Sequence, residues 1–253
     1  MSLAPITICM SVYGQPEMLA FNLREMAAYG DDILDKLTVI VVDDAGTPEV
    51  SVDFCRQFPE LNLHVWRIEE NVPWNQMGGR NLAMHHADPT WCLMTDPDMI
   101  FSSAMMLKIM QAASKMRRRH VLRYGLHHVS EPARAIDMTS PNTYLIHRED
   151  FFAAGGYDED YAGHKGWSDV QMLDVLKAHF TVEQRKDIYA EFFSTKQFMD
   201  AAVHTLDRTT AFNKKVRIKK FEQARKAGGW VKWVKKHKGS ILREPWTQVF
   251  PPL

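Results

Sequence analysis

Four groups of residues could do chemistry together. The first is Asp96-Pro97-Asp98, directly after the apolar run WCLMT at 91–95. Two carboxylates two residues apart at a strand end can reach one hard divalent cation, directly or through water. Mg²⁺ and Mn²⁺ prefer oxygen ligands and also take the oxygens of substrate phosphates. The same tripeptide suits a plain turn, because Asp and Pro both favour turns. The second group is Asp43-Asp44, which closes the run LTVIVV at 37–42. A carboxylate there can accept hydrogen bonds from a base N–H or ribose hydroxyls, or serve as a helix cap.

The third group is Gly78-Gly79-Arg80-Asn81. A glycine pair opening a helix exposes backbone N–H groups, and an arginine beside it can pair with phosphate. A simple loop and a surface ion pair are the bland alternatives. The fourth is Gly155-Gly156-Tyr157-Asp158-Glu159, followed by Trp167-Ser168-Asp169 at the start of a helical pattern. A carboxylate at that mouth could act as general base on a hydroxyl. Helix capping by Ser168 or Asp169 would explain it equally well.

Such distant groups need a scaffold that gathers them. Residues 5–12, 37–42, 61–68 and 91–95 carry strand signals, and 17–29, 50–58 and 79–87 carry helix signals. That alternation predicts an α/β fold with a mainly parallel sheet flanked by helices. Ligands of such sheets bind at the carboxyl ends of strands. Val12-Tyr13, Asp43-Asp44 and Asp96-Pro97-Asp98 all fall there. Further on, the pattern predicts a helix over 103–119, a strand over 142–146, a loop over 151–165 and a helix over 168–178. From 211 onward it is basic and helical, interrupted at Gly228-Gly229.

In order and spacing, these groups resemble the glycosyltransferases of the GT-A (Rossmann-like) fold, most closely family 2. The matching segments are Ser11-Val12-Tyr13, Val41-Val42-Asp43-Asp44, Gly78-Gly79-Arg80-Asn81, Asp96-Pro97-Asp98, and the Gly155–Glu159 loop with Trp167-Ser168-Asp169. The likeness spans about residues 5–180. It implies a metal-dependent, inverting transfer from a nucleotide-sugar, with UDP as the default nucleotide. Ser11, Tyr13 and Asp43 would hold base and ribose, and Arg80 would lie near base or diphosphate. Asp96 would touch ribose or metal, Asp98 the Mn²⁺ or Mg²⁺, and Asp169 would be the catalytic base. Trp167 would belong to the substrate site, and His204 would complete the metal shell. One position departs from the pattern: the family's glutamate before the base is Ser168 here, so acceptor recognition is expected to differ.

The chain has 253 residues and 31 lysines and arginines against 31 acids. The zero net charge hides an asymmetry. Residues 208–243 hold 13 cations and one acid, Glu222, so the remainder is acidic. The expected organisation is therefore a catalytic domain over 1–205 and a basic helical extension over 206–253. The nucleotide-sugar half would cover about 1–100 and the acceptor half 101–205. The cations interleave with Phe212, Phe221, Trp230 and Trp233. Three roles suit that segment: binding DNA whose modified base is the acceptor, lying on an anionic membrane that presents a glycan or lipid-linked glycan, or folding against the acidic body. No run approaches the roughly 20 apolar residues of a membrane span. No signal peptide is legible. Three scattered cysteines fit a reducing, cytoplasmic setting and neither a disulfide framework nor a zinc site. A nucleotide-sugar nucleotidyltransferase is the rival enzyme, but it would want cations right after the first strand, where SVYGQPEM stands. A non-catalytic nucleic-acid-binding protein would explain the basic segment and leave the carboxylates unexplained.

Overall fold

The computed structural model describes residues 2–88, 90–193, 205–237 and 241–251. The first β-branched, apolar run forms β1 (Ile6–Val12), buried along its whole length. Pro16 opens α1 (Pro16–Ala27) at a position where its missing N–H costs nothing. A single turn, α2 (Asp31–Leu34), leads to β2 (Leu37–Asp43). The helix expected over 50–58 is one turn only, α3 (Val52–Cys55), capped by Ser51. Then come β3 (Asn62–Ile68), α4 (Gln76–His86), β4 (Trp91–Met94) and the two-residue β5 (Met99–Ile100). α4 starts earlier than its periodicity predicts because Asn75 caps it, its Oδ1 accepting from the Gly78 amide at 3.2 Å.

The helix expected over 103–119 ends sooner, as α5 (Ser103–Ala113). Arg117, Arg118 and Arg119 form the connection to β6 (His120–His128), with Arg119 left-handed at φ 67°. β7 (Tyr144–His147) and α6 (Arg148–Ala153) follow, then a 3₁₀ turn at Glu159–Tyr161 and α7 (Ser168–His179). The chain continues through β8 (Thr181–Phe192), α8 (Ala211–Ala227), α9 (Trp230–Lys236) and β9 (Trp246–Phe250).

The strands form one sheet in the order β5-β8-β6-β7-β4-β1-β2-β3-β9. β1, β2, β3, β4, β6 and β8 run one way, and β5, β7 and β9 run against them. The mostly parallel α/β sheet expected from the sequence is therefore present. Alternation along β1 divides the core between the two faces. Ile8 and Met10 pack with Leu19 of α1 and Ile109 of α5. Cys9 faces Leu82 of α4 and Leu176 of α7.

The basic segment is built into this second face. Trp230, Trp233 and Ala224 are buried there. Lys220 Nζ lies 2.7 Å from Asp158 and 2.6 Å from Asp160; Arg217 pairs with Asp174 at 2.5 Å and Arg243 with Asp160 at 2.6 Å. The segment is not helical to its end, because β9 pairs antiparallel with β3 and closes the sheet edge. Among the described residues no helix is long and apolar enough to cross a membrane.

Candidate active site

Asp96-Pro97-Asp98 is the turn from β4 into β5, at the carboxyl end of the parallel strands. Its backbone is held from outside. The buried Asn22 of α1 donates through Nδ2 to Pro97 O at 2.8 Å and Met99 O at 3.3 Å, and the Phe193 amide donates to Asp98 O at 2.9 Å. Asp98 Oδ1 is buried and has no hydrogen-bond partner among the described residues. Burial, then the charge of Asp96, push the Asp98 carboxyl up to about 8. A buried carboxylate oxygen without a donor is costly unless a cation satisfies it. Two hard carboxylates with room for substrate oxygens suit Mg²⁺ or Mn²⁺, which seldom take an all-protein shell. Among the described residues no three His, Cys, Asp or Glu side chains form such a shell. His204 lies outside the described residues.

Asp169 sits in the first turn of α7, where the helix dipole favours a negative charge. The preceding Gly166 and Trp167 are both left-handed, at φ 85° and 72°, which swings the helix start into the cleft. Asp169 Oδ1 accepts from Arg80 Nη1 at 2.5 Å and from the Tyr157 hydroxyl at 3.0 Å. Neither contact uses Oδ2. The Tyr144 hydroxyl donates to that of Tyr157 at 3.2 Å, and the Arg80 guanidinium lies 5.1 Å from the Tyr157 ring centre.

Arg80 is fully buried, and its placement differs from the expected one. It does not face the cleft. Its Nη2 donates to Asp96 Oδ1 at 2.6 Å while Nη1 holds Asp169. Burial opposes its charge, but Asp169 and Asp96 outweigh burial and keep it firmly protonated. Asn142 donates to the other Asp96 oxygen. One buried cation thus fixes the carboxylate of the metal motif and that of the helix mouth together.

The glycine pair before it also works differently from the expectation. A Cβ on Gly79 would stand 2.2 Å from Ser11 Oγ, and one on Gly78 would stand 2.7 Å from the Asn75 side chain. Gly79 lets α4 press against β1, and Gly78 makes room for the Asn75 cap; their amides bond Asn75 at the helix start rather than forming a phosphate cradle. Ser11 lines the cleft, with its buried Oγ unpaired among the described residues.

Tyr13 lines the cleft too, and its hydroxyl donates to Asn71 Oδ1 at 3.2 Å. Asp43 lies under the wall. Its carboxylate accepts from the Gly46 amide at 3.1 Å and the Val50 amide at 3.0 Å and pairs with Arg67. It therefore shapes the 44–50 loop. Trp167 turns its ring to Arg217, whose guanidinium is 5.5 Å from the ring centre.

The cleft lined by Ser11, Tyr13, Asp96, Asp98 and Asp169 has a volume of about 330 Å³, and neither Asp43 nor Trp167 lines it. Several of its walls carry no motif. Trp74, left-handed at φ 55°, donates through Nε1 to Asp207 O at 2.7 Å. Lys165 Nζ and the Arg208 guanidinium lie 5.3 Å and 5.6 Å from its ring centre. Burial, then the Arg208 charge, lower the Lys165 pKa. Ser168 lines this cleft and also a second cavity of about 270 Å³ behind α7. The only sequence signal for Lys165 and Arg208 was their charge.

The family described as glycosyl transferase family 2 matches residues 7–134. The chain belongs to that family. Solved structures agree on the fold. TarS 1-349 of S. aureus in complex with UDP-GlcNAc aligns with a TM-score of 0.68 at 15% identity, over 92% of this chain and 72% of that one. The mannosyltransferase PcManGT of Pyrobaculum calidifontis, in complex with GDP-Man and Mn²⁺, aligns at 0.59 and 16% identity, over 95% and 66%. GalNAc-T7 with UDP, GalNAc and Mn²⁺ aligns at 0.64 and 11% identity, over 96% and 56%. A further TarS 1-349 structure is covered over 62% of its length. No curated protein matches the sequence. The family match does not fit the nucleotidyltransferase reading. The match includes Arg80, Asp96 and Asp98 and ends before Asp169.

Proposed function

We propose that this chain is a glycosyltransferase moving a sugar from a nucleoside-diphosphate sugar, UDP-linked by preference, to an acceptor hydroxyl with inversion. The observation that carries the reading is the Arg80 bridge, which joins Asp96 and Asp169 in one cleft. Tyr13 and Ser11 border the nucleotide, and the loop held by Asp43 backs the Tyr13-Gly14 turn, where a Cβ on Gly46 would stand 2.1 Å from Gly14 N. Asp169 takes the proton of the acceptor hydroxyl through Oδ2, since Oδ1 is engaged. The acceptor oxygen bonds to the anomeric carbon as the bond to the diphosphate oxygen breaks, and the diphosphate leaves. Arg80 and Tyr157 orient the base. Lys165 and Arg208 supply positive charge at the cleft edge for the leaving group. A divalent ion held by Asp98 and Asp96 would neutralise diphosphate charge as a Lewis acid.

The neighbours support a divalent ion and a nucleotide-sugar: two have Mn²⁺ in their complexes, and one holds UDP-GlcNAc. The test is a panel of nucleotide-sugars with Mn²⁺, followed by thermal shift, because ligand binding to the native state raises the melting temperature. Release of free nucleoside diphosphate is then measured with Mn²⁺ and with EDTA. A UDP-sugar shift and EDTA-sensitive release are expected. No shift with any donor, or release indifferent to EDTA, overturns the reading.

A further inference from the structure

Two groups stand out among the cations of the basic segment, beside Arg208 in the cleft and the exposed Lys232, Lys235 and Lys236 of α9. Lys220, Arg217 and Arg243 are engaged by Asp158, Asp160 and Asp174 of the body. Lys214, Lys215, Lys219, Arg225 and Lys226 of α8 are exposed. Among the described residues, none of these five is in an ion pair. At about 100° per residue they fall within about 140° of the helix circumference. At about 1.5 Å per residue they extend over roughly 18 Å.

This row starts at the cleft. A Cβ on Gly166, which lines the cleft, would meet the Thr210 side chain just before α8 at 3.1 Å. Asn213 donates to Tyr161 O at 3.0 Å and His164 O at 2.5 Å, fastening the helix to the same loop. Lys165 and Arg208, on either side of this joint, both line the cleft. Positive charge therefore runs from the edge of the transfer site out along α8.

The exposed apolar residues bear on what lies there. Phe212, Ile218 and Phe221 are each about half exposed, at 51%, 50% and 50%. At about 100° per residue, Phe212 and Phe221 point to opposite sides of the helix and flank the cationic row, with Ile218 inside it. They do not form the single apolar stripe that an interfacial helix sinks into a bilayer. Rings beside a cationic track are the arrangement on which nucleic-acid bases stack while lysines and arginines follow the phosphates. The Phe212 ring already stacks on His164, with centroids 3.9 Å apart and planes at 28°.

We propose that the acceptor is a nucleic-acid strand whose phosphates follow α8 and whose receiving hydroxyl enters the cleft at Asp169. This rests on the transferase reading above. Along the axis of a duplex each strand presents a phosphate about every 3.4 Å, so a row of roughly 18 Å lying along that axis spans about five.

The test is fluorescence anisotropy of the full chain with labelled single-stranded and duplex DNA of about 20 nucleotides, from about 50 to 200 mM salt. Co-sedimentation with phosphatidylserine vesicles runs in parallel. Affinity for DNA should fall roughly 10²- to 10³-fold over that range, the slope for about five phosphates. The combined Lys214→Gln, Lys215→Gln, Lys219→Gln, Arg225→Gln and Lys226→Gln variant should lose most of the affinity and of the salt dependence. Its melting temperature and its thermal shift with UDP-sugar and Mn²⁺ should match the parent's. Lys115→Gln with Arg117→Gln, at the opposite end of the sheet, should bind as the parent does. Absence of DNA binding at low salt, equal binding by the five-site variant, or binding to vesicles in place of DNA overturns the proposal. Intact DNA binding without any donor shift would count against the transferase reading instead.

Discussion

Arg80 Nη1 lies 2.5 Å from Asp169 Oδ1 across 89 residues of chain, with the guanidinium wholly out of solvent. The base of the proposed mechanism is thus oriented by an interior cation that also holds Asp96. Removing one partner of a buried ionic group strands the others, at about 3–5 kcal/mol. Arg80→Ala should therefore lower the melting temperature by roughly 10 °C, at about 2–4 °C per kcal/mol for a chain of this size. Arg80→Lys, which cannot fork to two carboxylates, should fold better yet turn over poorly. Thermal denaturation with steady-state kinetics checks both. Full activity in Arg80→Lys would show that the bridge is dispensable.

Asp169→Asn should lower kcat by about 10²- to 10⁴-fold, the usual contribution of a positioned general base. Donor binding, read by thermal shift, should persist, because the nucleotide wall lies elsewhere in the cleft. Near-parental turnover would remove Asp169 from the role.

Asp98→Asn should lose the Mn²⁺-dependent part of donor binding and at least about 10²-fold in rate, if metal charge supplies about 3 kcal/mol at 1.36 kcal/mol per decade. Isothermal titration of Mn²⁺ with and without UDP separates the two effects. Unchanged Mn²⁺ affinity in the ternary complex would count against the ligand assignment.

Gly79→Ala should destabilise the fold by about 1–3 kcal/mol, although alanine is the better helix former, because the new methyl meets Ser11. Ser11→Gly should recover part of that loss, so the double variant should be less destabilised than the two single effects predict. Strict additivity in a chemical denaturation cycle would show that the two residues do not press on each other.

The motifs were legible because their chemistry is local. Asp96 and Asp98 declare themselves by two-residue spacing after an apolar strand, and Asp169 by its place at a helix start. Their supports were not legible, because they come from far along the chain. Asn22 and Asn142 are ordinary residues until folding brings them to the Asp96–Asp98 turn, and Tyr157, though part of a quoted motif, gave no sign that its hydroxyl would reach Asp169. Gly78-Gly79 shows the ambiguity well. A missing side chain leaves room either for a ligand or for a neighbouring strand, and here the neighbour is β1. β8 escaped notice because exposed, charged positions interrupt the apolar pattern that marks β1, β2 and β4, and β6 because the buried Arg123, Gly125 and its histidines break that pattern. The short α3 and α5 reflect the same limit, since periodicity outlasts the helix where a turn follows.

β9 gives the basic segment a second fastening. Its first end is moored by Asn213 to the loop around Tyr161, and its last strand is laced to β3. A segment held at both ends behaves as a strut, not a tether. The conformational freedom of α8 is already lost in folding, so a partner meeting it has little left to order. Unlacing β9, for instance with a proline in its paired stretch, would turn the strut into a tether without touching one exposed charge.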